Sequence, residues 1–205
     1  EVDRIAAPGY VPTPDDVLKA RIQTMGVEEH ILQLETVKKG QQWAIYDVGG
    51  SRSQRVAWAP FFDDVNLLIF IAPVSAFNQT LAEDHKVNRL WDSIFLWKTI
   101  CSNKLLADVD FVLLLNKMDI LEAKLASGVQ FGTFVTSYKD KPNDVEHVMA
   151  YLKGKFSIIY KQHSKRDRSF HIHFTCATDA QATSIVLARI KEAIYKKAFE
   201  EADFL

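Results

Sequence analysis

The chain has 205 residues, 48% of them hydrophobic, which is enough for one domain with a single core. Its formal net charge is −1 and no basic block stands out, so charge gives no reason to expect nucleic acid as a partner. Two unclustered cysteines, Cys101 and Cys176, argue for a reduced, intracellular protein, and no apolar run is long enough to span a bilayer.

Residues 1–20 carry Pro8-Gly9, Pro12 and Pro14 and read as a linker. Within them, Thr13-Pro14-Asp15-Asp16 combines an N-cap, a proline at the first helical position and acids in the first turn, predicting a short helix through Lys19. Two β-prone runs, 29–37 and 41–47, are joined by Lys38-Lys39-Gly40, which predicts a hairpin. The second run leads into Asp47-Val48-Gly49-Gly50, then the polar stretch Ser51 to Arg55, then Trp58. Asn66 to Ala72 is continuously apolar, as expected of a strand covered on both faces. A helix is predicted from about Leu81 to Cys101, with Val87, Leu90, Ile94 and Trp97 at helical spacing. Asp110 to Leu115 is the next buried strand, 119–125 a short helix, and 126–142 a loop. A helix near 143–162, a strand from Ser169 to Thr175 and a helix from about Ala180 to Phe199 complete the chain, the last with Val186, Ile190 and Ile194 on one stripe. This alternation predicts an α/β fold, with a mostly parallel sheet, helices on both faces and one antiparallel hairpin.

In such sheets a ligand sits beyond the carboxyl ends of the strands, and three polar motifs fall there. A carboxylate followed by two glycines suits a metal-bound phosphate: Asp47 can hold Mg²⁺ through its water shell, and glycine lets a bare N–H approach an anion. In Asn116-Lys117-Met118-Asp119, the Asp119 carboxylate can accept from two adjacent N–H donors, a pair that guanine offers on one edge and adenine does not. Lys117 can lay its stem over the base and Asn116 can tie loops together. In Thr175-Cys176-Ala177-Thr178, Ala177 can offer a backbone N–H to a base carbonyl.

With these motifs in this order and spacing, the sequence resembles the α subunit of a heterotrimeric G protein, a Ras-like GTPase, over essentially all 205 residues. Asp16 to Gly26 matches the family's switch I. The resemblance implies that 1–20 is a linker from an absent helical domain and 21–205 a Ras-like GTPase domain lacking its N-terminal strand and phosphate loop. It implies that Arg21 acts as a built-in arginine finger, that Thr24 and Asp47 serve Mg²⁺, and that Gly50 presents its N–H to the γ-phosphate. Asn116, Lys117, Asp119, Cys176 and Ala177 would hold the base. Arg55 is expected to pair with Asp92 when switch II tightens. The implied activity is a GTP/GDP switch with slow GTP hydrolysis, carrying receptor signals to intracellular effectors. Its partners would be a βγ dimer, a G-protein-coupled receptor and an effector enzyme. Its place would be the cytoplasmic face of the plasma membrane, peripheral through the absent N-terminus.

Three departures qualify that expectation. The family's glutamine after Asp-x-Gly-Gly is Ser51 here, and a serine is too short to reach the attacking water. Intrinsic hydrolysis is therefore expected to slow by about 10- to 100-fold, roughly 1.4–2.8 kcal/mol of barrier. Val56-Ala57 replaces a basic pair common in switch II, which puts the usual partner contacts there in doubt. No Gly-x-x-x-x-Gly-Lys-[Ser/Thr] occurs in these residues, so either the chain is a fragment, the favoured reading, or it is a hydrolysis-impaired or nucleotide-free binding scaffold.

Overall fold

A computed structural model describes residues 1–20, 24–33, 42–63, 65–164 and 168–202. The chain divides into two units, Glu1–Val65 and Asn66–Leu205.

The first unit opens with short helices α1 (Val2–Ile5) and α2 (Pro14–Lys19). The predicted cap of α2 is a full capping box, in which the Thr13 hydroxyl accepts from Asp16 N and the Asp16 carboxylate accepts from Thr13 N. Arg4 also binds that carboxylate and, with the Thr13 donors, holds it well below the usual carboxylate range. Strands β1 (Val27–Gln33) and β2 (Gln42–Val48) pair antiparallel, Val27 opposite Val48 and Gln33 opposite Gln42. This is the expected hairpin; its predicted turn, Lys38-Lys39-Gly40, lies outside the described residues. A 3₁₀ helix, Arg52–Phe61, follows directly on the glycine pair.

The second unit holds β3 (Leu67–Pro73), α3 (Arg89–Ser102), β4 (Asp110–Asn116), α4 (Met118–Ala126), α5 (Phe131–Phe134), α6 (Val145–His163), β5 (Phe170–Thr175) and α7 (Ala180–Ala202). The strands form a parallel sheet in the order β3-β4-β5. Side chains alternate across β4. Phe111 meets Trp97 of α3, which also meets Phe156 of α6. Val112 and Leu114 pack with Ile190, Val186 and Leu67. Helices therefore cover both faces, as the alternation predicts, and the chain is α/β. Trp97 is the hub of the first face: fully buried, in ring contact with Phe70, Phe111, Phe156, Tyr160 and Phe170, its indole N–H donates to Phe156 O at 3.1 Å.

Three expectations are corrected. Helix α3 begins at Arg89 rather than Leu81, because Thr80 bridges Asn88 and the Asn88 side chain caps Leu90 N and Trp91 N while donating to Phe77 O. The stretch 126–142 contains α5 and a 3₁₀ turn at Thr136–Tyr138, anchored by buried Phe131 and Tyr138. Beyond Leu67, strand β3 is covered on only one face: Phe70 and Ala72 are buried, while Ile69 and Ile71 are 42% and 57% exposed. The α7 stripe reaches Leu67 of β3 through Val186 and Ile190; the side chain of its third expected member, Ile194, lies outside the described residues.

Candidate guanine-nucleotide site

In the first unit, strand register does the positioning. The hairpin pairing continues one step beyond Val27 and Val48, where Gly49 N donates to Gly26 O at 2.9 Å. Gly26 has φ +79°, a left-handed turn that glycine adopts without strain, and it aims the preceding residues back along β2. Thr24 thereby comes beside Asp47, and its hydroxyl donates to Asp47 Oδ2 at 3.0 Å. Two hard oxygen donors side by side fit Mg²⁺, which takes one or two protein oxygens and completes its shell with phosphate and water. Among the described residues, no group of three or more His, Cys, Asp or Glu could hold a metal unaided.

The glycine pair is held from the 3₁₀ helix. Trp58 Nε1 donates to Gly49 O at 3.0 Å, and Arg55 Nε to Gly50 O at 3.3 Å. Gly49 is buried, and Gly50 is the exposed member of the pair. Ser51 caps the helix start without a side-chain cap; its hydroxyl instead donates to Gln54 Oε1 at 2.9 Å. Gln54 Nε2 donates in turn to Thr24 O at 3.2 Å. Sequence reasoning missed Gln54. The available signal was its spacing, because residues three apart eclipse in a 3₁₀ helix. Arg21 lies outside the described residues.

In the second unit, the parallel register puts Asn116 opposite Thr175, each the last residue of its strand. Asn116 Oδ1 accepts from Ala177 N at 3.0 Å and from the Thr175 hydroxyl at 3.2 Å. One side chain thus clasps the two loops together. Lys117 has φ 68° and ψ 42°, a left-handed conformation uncommon for a lysine, of the kind that gathers at functional sites. Asp119 follows in the first turn of α4, where the helix dipole favours a carboxylate. Cys176 is a free, half-buried thiol 3.2 Å from the Thr178 hydroxyl. Its carbonyl accepts from Asp179 N, and Asp179 caps α7 through Ala182 N. Thr175, whose hydroxyl completes the clasp, was named only as part of a motif.

The structure therefore brings together Thr24, Asp47 and Ser51 beside the glycine pair in one unit, and Asn116, Cys176 and Ala177 beside Lys117 and Asp119 in the other.

A model of the G-protein alpha subunit matches residues 1–194. The chain belongs to the G-protein alpha subunit family. The guanine nucleotide-binding protein alpha-4 subunit of Mycosarcoma maydis is 39% identical over 203 residues, covering 95% of this chain and 34% of that relative. The alpha-15 subunit of Caenorhabditis briggsae is 37% identical over 197 residues, 95% of this chain and 52% of the relative. The alpha-7 subunit of Caenorhabditis elegans is 36% identical over 194 residues, 95% and 53% respectively. This alpha-subunit chain thus spans about a third to a half of the length of the curated relatives it matches.

Proposed function

We propose that this chain is the guanine-nucleotide switch region of a G-protein alpha subunit, binding GTP and GDP and hydrolysing GTP slowly. The observation that carries the reading is the Asn116 clasp, which joins the two loops expected to surround a guanine base. Asp119 accepts the base's two N–H donors, and Lys117 lies along its face. The Ala177 N–H is shared between Asn116 and the base carbonyl. Thr24 and Asp47 would hold Mg²⁺, which when bound neutralises charge on the phosphates. Gly50 donates its exposed N–H to the terminal phosphate, and Arg21 neutralises charge that develops as that phosphate leaves.

Nucleotide state acts through the segments 21–26 and 49–60, which tighten around the terminal phosphate and relax once it is lost. A receptor, a βγ dimer and an effector enzyme read that difference at the cytoplasmic face of the plasma membrane. Residues 1–20 enter as a linker from a helical domain, and 21–205 form the Ras-like domain. Among the described residues no helix is long and apolar enough to cross a membrane.

Hydrolysis is slow because the Ser51 hydroxyl is too short to reach the attacking water. Single-turnover phosphate release from the full-length protein tests this. Ser51→Gln is expected to raise the rate by about tenfold, equivalent to ~1.4 kcal/mol of barrier, and an unchanged rate contradicts it.

A further inference from the structure

Ser51 and Gln54 form a hydrogen-bonded dyad. Three residues per turn in the 3₁₀ helix stack Gln54 over Ser51, and Gln54 N donates to Ser51 O at 3.0 Å. The side chain folds back toward the glycine turn. Its carboxamide accepts from Ser51 Oγ and donates both to Thr24 O and, at 3.6 Å, to Met25 Sδ.

Gly49 admits it. A Cβ at position 49 would stand 2.3 Å from Gln54 Oε1 and 2.9 Å from Nε2, so the amide fills the space any larger residue would need. The turn does not depend on this amide, because Trp58 and Arg55 already hold its two carbonyls. The carboxamide is thus fixed between Thr24, the expected metal-side residue, and the Gly49-Gly50 turn expected at the terminal phosphate. After the bonds to Ser51, Thr24 and Met25 both Nε2 donors are used, and Oε1 and Thr24 O each retain one lone pair to accept from a water molecule. Such a group can orient a water molecule.

We propose that Gln54, positioned by Ser51, supplies the water-orienting carboxamide that position 51 lacks. The inference rests on the guanine-nucleotide reading above. In the step it serves, the water oxygen bonds to the terminal phosphorus and the bond from that phosphorus to the bridging oxygen breaks. GDP leaves with the electron pair, and the water's proton passes to the released phosphate. Gln54 takes no proton. Ser51 is a positioning residue, and the slow residual rate belongs to Gln54.

The test is single-turnover phosphate release from full-length protein loaded with GTP, with GDP affinity measured on each variant. Gln54→Leu is expected to lower the rate by about tenfold or more and to leave GDP affinity within about twofold. Gly49→Ala displaces the amide while leaving Gln54 intact, and is expected to lower the rate similarly. Ser51→Ala lowers it less, and Ser51→Thr, which keeps the hydroxyl, restores it. Undiminished release in both Gln54→Leu and Gly49→Ala, with GDP still bound, overturns the role of Gln54 and leaves the switch reading standing. A wild-type protein that binds no guanine nucleotide overturns both.

Discussion

The two groups of candidate residues, one in each unit, are built in opposite ways. The Asn116 clasp stands at the ends of strands whose side chains are buried from Phe111 to Leu115, over a core centred on Trp97. The Thr24–Asp47 pair stands on a hairpin in which no residue of β1 or β2 is buried. Its geometry rests on register, on the Tyr46–Phe61 ring contact and on hydrogen bonds from Ser51, Gln54, Arg55 and Trp58. Local stability follows buried apolar contact, so the half assigned to the base is the rigid one and the half assigned to the phosphates is the deformable one. The proposed switch needs that division, since identity of the base would be read in every state while the phosphate count would change the shape.

The largest expected effect breaks the rigid half. Trp97→Ala removes the hub of five aromatic contacts and is expected to cost about 3–5 kcal/mol, read by denaturant unfolding. The same truncation at Ile45 in the hairpin, 40% exposed, should cost under about 1 kcal/mol. Equal losses would erase the contrast. Next comes Asn116→Ala, which strands the Ala177 N–H and the Thr175 hydroxyl and is expected to cost about 1–3 kcal/mol, with weaker GDP binding by calorimetry.

A smaller effect separates the two thiols. Burial pushes the Cys101 thiol up to about 12, so it stays protonated and inert, whereas Cys176 is half-buried at a loop. A thiol reagent followed by mass spectrometry should modify Cys176 first, and GDP should slow it. The smallest effect is in pH. Burial, with His171 and Arg189 nearby, lowers the His173 imidazole below its ordinary value of 6.5. The folded state thus binds this proton less tightly than the unfolded chain, so its stability contribution is full above pH 6.5 and is lost as pH falls below it. His173→Gln should flatten the acid side of a thermal-midpoint profile.

The sequence made legible what depends on local chemistry. The Thr13 capping box, the polar motifs closing β2, β4 and β5, and the alternation that builds the parallel sheet can all be read residue by residue. What depends on distant partners could not be. The late start of α3 comes from the Thr80–Asn88 bridge, and no periodicity encodes it. Ile69 and Ile71 carry the same apolar signal as buried Phe70, so hydropathy alone does not tell the covered face from the exposed one. The left-handed Lys117 leaves no mark in residue type, and Gln54 matters only because Ser51 is short and Gly49 has no side chain.

The most direct test of the account is calorimetric titration of the full-length protein with GDP and with ADP, repeated on Asp119→Ala. The account predicts tight GDP binding, no comparable ADP binding, and loss of the GDP signal in the variant. Equal affinity for the two nucleotides, or GDP binding untouched by the loss of the Asp119 carboxylate, would contradict it.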